Sequence, residues 1–383
     1  MTQQPRVSPN AAEEAFVPLG GGNGAPPPPA PKRDDHPPRH QGHQEHKEVP
    51  PSDEGAGPSP SASRAAVATQ APVRRDGAMA TAADFTAERY LREATLAPRD
   101  GWRRMLYWLT GGRVNAGPSP SELAERELMA RAKTRVAGCR SIAVISRKGG
   151  VGKTTTTLML GHTFGALRGD RVVALDGNPD AGSLGYRVRR ETAATITNLL
   201  ADEQMITRYA DIRAYTSQAP SRLEVVASDD DPRITRALGE EDYRRAIALL
   251  ERHYNLICLD TGTGVLESAT RGILQLADQI VVVMSPSLDS ARAASSTLDW
   301  LNENGHSELV SSAVAVVNGV QSDSLVEVDR IKEHFAGRCR AVVQVPWDAH
   351  LAAGAETDVT RLRSTTRHAY LEVAAAVADG FAT

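Results

Sequence analysis

Lys148, Gly149, Gly150, Val151, Gly152, Lys153, Thr154 and Thr155 stand in an unbroken run. Glycine lets backbone N–H groups close around phosphate oxygens with no Cβ in the way. An ammonium group at Lys153 suits the β- and γ-phosphates of a nucleoside triphosphate. A hydroxyl at Thr154 suits Mg2+. The elements that must hold such a loop are written on either side of it. Ile142 to Ile145 is an apolar, β-branched run, and Leu158, Met159 and Leu160 open a helical pattern. Strand, loop and helix are in register, and the helix N-terminus adds partial positive charge.

A second apolar run, Leu256-Ile257-Cys258-Leu259, ends in Asp260 and is followed by Thr261-Gly262-Thr263-Gly264. Such a run buries in a sheet and delivers its carboxylate beside Mg2+. The glycines after it let the loop approach the γ-phosphate as a switch. Another run, Val172 to Leu175, ends in Asp176-Gly177-Asn178-Pro179-Asp180.

The common phosphate-loop pattern wants Gly where this chain has Arg147, and the form that fits is K-G-G-x-G-K-T with an extra lysine at Lys148. This segment resembles the deviant Walker A loop of the MinD/ParA ATPases, and the resemblance covers about residues 139–383. It implies that Lys148 crosses a dimer interface to a nucleotide held by the partner subunit. It also implies that Asp176 helps hold Mg2+ and that the next acidic position orients the attacking water. That position is Asn178 here, so water is positioned by an amide, or Asp180 stands in. Asn318 and the Pro346-Trp347-Asp348 loop match the family's adenine site, and no Asn-Lys-x-Asp guanine motif is present. The expected ligands are therefore ATP and Mg2+. Lys148, Lys153, Asp176, Asn178 and Asp180 serve catalysis, Thr154, Asp176 and Asp260 the metal, and the loop 148–155 with Asn318, Pro346 and Asp348 the nucleotide.

From about residue 139, strand-like and helical patterns alternate as in an α/β fold. The expectation is a mostly parallel twisted sheet with helices on both faces. Strands are expected at 141–146, 171–176, 222–227, 255–260, 279–284, 312–317 and 340–345. Helices are expected at 153–168, 240–253, 264–276, 288–304, 324–335 and 365–379.

Before that domain the composition changes twice. Residues 1–84 are rich in Pro, Gly, Ser and Ala, with Pro26 to Pro29 in one block. They hold too few large apolar side chains to offset the entropy of ordering, and read as a disordered arm. The arm is a tether or a docking segment for a proline-binding partner. His36, His40, His43 and His46 lie in it and read as solvated polar residues rather than metal ligands. Residues 85–138 read as a helical linker. In it Trp102, Met105, Leu106 and Leu109 share a helix face flanked by Arg103 and Arg104. That helix is expected to pack on the ATPase domain; the alternative is peripheral contact with a membrane or a partner groove. A second helix is expected from a Ser119 or Ser121 cap to Val136.

The net charge is -3, and residues 301–383 hold 7 Lys/Arg against 11 Asp/Glu. Coating of DNA is not expected from that surface. Cys139, Cys258 and Cys339 lack metal-ligand spacing, and no 18-residue apolar run occurs. Both fit a cytoplasmic protein. The Gly-Trp-Arg-Arg segment at 101–104, Gly117-Pro118-Ser119-Pro120 and the Val345-Pro346-Trp347-Asp348 loop also resemble EspI-type proteins of actinobacterial type VII (ESX) secretion. That resemblance implies an ATP-driven dimerisation switch regulating or positioning a secretion system. A division or partition ATPase and a non-hydrolysing ATP sensor are the alternatives.

Overall fold

The computed structural model describes residues 96–381 other than 100, 179–181, 230, 232, 235–237 and 264–267. The proline-rich arm, its histidines and Asp180 lie outside the described residues.

Eight strands form one sheet: β1 (Arg140–Ile145), β2 (Val172–Gly177), β3 (Ser217–Gln218), β4 (Leu223–Val226), β5 (Leu256–Thr261), β6 (Gln279–Met284), β7 (Val314–Val320) and β8 (Ala341–Pro346). Their order is β3-β4-β2-β5-β1-β6-β7-β8. Every neighbouring pair is parallel except β3 with β4. The seven strands read from the sequence are all present. The eighth, β3, is two residues long and carries no periodicity to read.

The helices are α1 (Gly101–Leu109), α2 (Pro120–Ala132), α3 (Lys153–Leu167), α4 (Ile196–Ala201), α5 (Tyr209–Ile212), α6 (Glu240–Glu251), α7 (Ser268–Leu276), α8 (Leu288–Glu303), α9 (Ser307–Ser311), α10 (Val328–Ala336), α11 (Ala349–Ala352) and α12 (Ser364–Ala378). The helix expected from 324 begins four residues later. Ser324 instead closes a local turn, its hydroxyl accepting the N–H of Val326, which competes with helix formation.

Alternation along the strands builds two cores. Ala143, Ile145, Val173, Leu175, Ile257 and Leu259 face α6, α7 and α8. Ile142, Val144, Val172, Ala174, Leu256 and Cys258 face α3 and α12. Strands buried on both faces explain the near-continuous apolar runs in the sequence. Because all strands but β3 run parallel, their carboxyl ends lie at one edge of the sheet, where ligands of such folds bind.

Among the described residues between 96 and 138, two helices differ in how they pack. Ser119 caps α2, accepting the N–H of Glu122 at 3.2 Å. Ala132 is buried in the core that holds α3 and α12, and Arg131 clasps Asp379 at 2.6 Å. Thus α2 belongs to the packed body. Helix α1 corrects the expectation that it packs there too: none of its residues is buried. Trp102, Met105, Trp108 and Leu109 are 67, 64, 80 and 65 % exposed.

Candidate functional site

The loop after β1 turns on two left-handed glycines, Gly150 at φ 73° and Gly152 at φ 94°. Gly152 caps α3 without a side-chain hydrogen bond, so the first N–H groups of α3 face the loop. Only glycine fits at 152 for a second reason. A Cβ there would lie 2.1 Å from Nδ2 of Asn318. That amide donates to the carbonyl of Val151 at 2.9 Å, and Tyr370 donates to Oδ1 of Asn318 at 3.4 Å. Asn318, expected at the base, is thus also a brace of the phosphate loop.

Asp176 and Asp260 end neighbouring strands in register, and both are fully buried. Asp176 accepts N–H groups of Asn178 at 3.2 Å and Leu184 at 3.1 Å, and the hydroxyl of Ser228 at 3.3 Å. Asp260 accepts the Thr157 hydroxyl at 3.4 Å, and the nearby Thr154 hydroxyl favours its charged form. Its Oδ2 is buried with no partner among the described residues. Burial pushes both carboxyls up from the ordinary range, and the charge of Asp260 adds to the rise at Asp176. Lys153, buried beside them, works the other way on Asp260. Two adjacent buried carboxylates and a hydroxyl form an all-oxygen donor set with one acceptor unused. That suits Mg2+, which is held by one or two carboxylates together with phosphates.

The other expected residues divide. Asn178 follows Asp176 at the edge of the site. Pro346 ends β8 opposite Val320. Asp348 has both oxygens engaged: Oδ1 accepts the N–H of His350 at 3.0 Å, and Oδ2 accepts the N–H of Arg363 at 3.0 Å and the hydroxyl of Thr366 at 2.8 Å. Its carboxylate therefore fixes the loop between β8 and α12. Lys148 forms an ion pair with Asp289 in the first turn of α8.

Sequence reasoning missed four participants. Gly182 lies so close to Asp176 that a Cβ would meet Oδ2 at 1.9 Å. Ser228 follows β4, and its position just past a strand's carboxyl end was the available signal. Asp289 holds Lys148. Arg187 donates from Nη1 to Oγ1 of Thr155 at 3.0 Å, with nothing in its surrounding sequence to foretell it.

A family model described as an AAA domain matches residues 139–306. The ESX-1 secretion-associated protein EspI of Mycobacterium tuberculosis H37Rv is 40% identical over 284 residues, covering 73% of this chain and 42% of that protein. The chain thus spans less than half the length of that relative. The septum site-determining protein MinD from Pyrococcus horikoshii OT3, complexed with Mg-ADP, superposes with a TM-score of 0.51 at 18% identity, covering 62% of this chain and 94% of MinD. A ParA family ATPase from Chlorobium tepidum TLS superposes with a TM-score of 0.53 at 19% identity, covering 61% and 98%. The structural likenesses speak for the fold, and the sequence likeness speaks for the branch. The chain has the P-loop fold seen in MinD and in the ParA family ATPase, and over most of its length its sequence resembles EspI.

Proposed function

We propose that this protein binds ATP with Mg2+, dimerises on it, hydrolyses it slowly, and couples its nucleotide state to a type VII secretion system. The observation that carries the nucleotide part is the buried pair Asp176 and Asp260, with Oδ2 of Asp260 unpartnered, set below the glycine-capped N-terminus of α3. When bound, Mg2+ supplies positive charge to the β- and γ-phosphate oxygens. Lys153 adds a second cation from inside the loop, and Thr154 and Asp260 hold the metal's side of the site. Asp176 orients its neighbours through Leu184 and Ser228. Asn178 positions water without accepting its proton, which serves a loose transition state at the expense of rate. Lys148 reaches the partner's phosphates.

The secretion part is supported by the likeness to EspI. The exposed tryptophans of α1 support contact of this helix with a membrane surface. The arm, by its composition, is the docking segment for a protein partner.

Steady-state ATP turnover tests the enzyme part. Lys153→Ala is expected to lower it at least about a hundredfold, and Asn178→Asp to raise it. A wild-type protein that binds ATP and turns none over would make the chain a sensor instead.

A further inference from the structure

Arg187 stands outside the phosphate loop yet touches it. It closes the short turn Leu184–Arg187 that follows the loop after β2. Its Nη1 donates to the buried Thr155 hydroxyl at 3.0 Å. Its Nε is buried without a partner, and among the described residues the guanidinium joins no ion pair. The two arginines that follow behave differently. Arg189 is exposed, and Arg190 donates to the carbonyl of Thr192 at 3.4 Å.

A half-buried cation with an unused N–H is costly unless an anion meets it, and the charge of nearby Asp260 only partly offsets the burial of Arg187. Its own backbone already fastens the turn, since the carbonyl of Arg187 accepts the N–H of Thr357 at 2.9 Å. The side chain is therefore not needed as a fastener. It lies against the first turn of α3, where a phosphate group would sit. A planar guanidinium suits phosphate oxygens better than an ammonium does.

We propose that Arg187 is a phosphate-contacting residue of the nucleotide site, reaching the phosphate chain from beside Thr155 in the same protomer. This rests on the nucleotide-binding function proposed above. It adds a cation that neither the loop pattern nor the paired carboxylates require.

The test compares wild type, Arg187→Met and Arg187→Lys as full-length proteins. Calorimetry measures binding of Mg-ATP and Mg-ADP, competition with inorganic triphosphate isolates the phosphate contact, and melting without nucleotide reports on the fold. Arg187→Met is expected to weaken both nucleotides about ten- to hundredfold. Triphosphate should compete correspondingly less well, Arg187→Lys should fall between, and the melting temperature should hold or rise. Affinities within about twofold of wild type overturn the proposal. So does a loss of nucleotide affinity with triphosphate competition unchanged, which would place the contact on base or sugar. A lowered melting temperature with normal binding by the folded fraction overturns it in favour of a fastener. If wild type binds neither nucleotide, the nucleotide-binding function itself falls, and that is seen before any variant is made.

Discussion

The ammonium group of Lys148 is held by the carboxylate of Asp289, 141 residues further along the chain. The pair is exposed, and Lys148 keeps Asp289 below the usual carboxylate range through its hydrogen bond and its charge. Within one protomer the lysine is thus directed to α8 rather than to its own phosphate loop.

If Lys148 crosses to a partner's nucleotide, Asp289 competes with that contact. Asp289→Asn should let ATP-induced dimers form at a modestly lower ATP concentration, roughly twofold, as fits an exposed ion pair. Lys148→Ala should abolish those dimers and leave ATP binding by the monomer nearly intact. Sedimentation at a series of ATP concentrations reads both, and dimers that persist in Lys148→Ala would end the trans-contact idea.

The paired carboxyls give a pH dependence with a definite sign. Burial raises Asp176 and Asp260 above their ordinary values. The folded protein then keeps a proton that the unfolded chain has released, so stability falls as pH rises from the carboxylate range towards neutrality. Asp176→Asn removes one titration and the neighbouring charge. Without Mg2+ or nucleotide, its melting temperature should exceed that of wild type by roughly 3 °C or more at about pH 8, and the gap should close towards pH 5. A variant that melts below wild type at about pH 8 contradicts the assignment of strain to this pair.

Helix α1 offers a third measurement. Arg103 and Arg104 lie on this helix and Arg99 and Arg113 beside it, and none is in an ion pair among the described residues. Full-length protein should float with vesicles containing anionic lipid and less with neutral ones, and salt should weaken the binding. Trp102→Glu should reduce the bound fraction several-fold without changing ATP binding. Equal flotation of that variant would assign the tryptophans to a protein partner.

What the sequence announced and what it hid divide by locality. The phosphate loop, Asp176 and Asp260 were legible because each combines a periodic apolar strand with a special residue at its end. Asn318 was legible as a site residue, but its grip on Val151 was not, because the two are 167 residues apart. Arg187 and Asp289 act through single long-range contacts that no local pattern encodes. Helix α1 misled for a different reason. Its amphipathic spacing looks the same whether the apolar face meets a core or solvent, and only the fold shows that no core lies beneath it.

Tyr370 reaches Asn318 from α12, the helix in which ten of fifteen residues are buried. The segment matched by the AAA-domain model stops at residue 306, yet the support of its phosphate loop comes from residues that follow. A fragment cut at 306 would keep every phosphate-loop signature residue while stripping Asn318 and Tyr370 from the loop and baring β6 as a raw edge strand. The smallest working unit of this protein is therefore longer than its motif and reaches at least to α12.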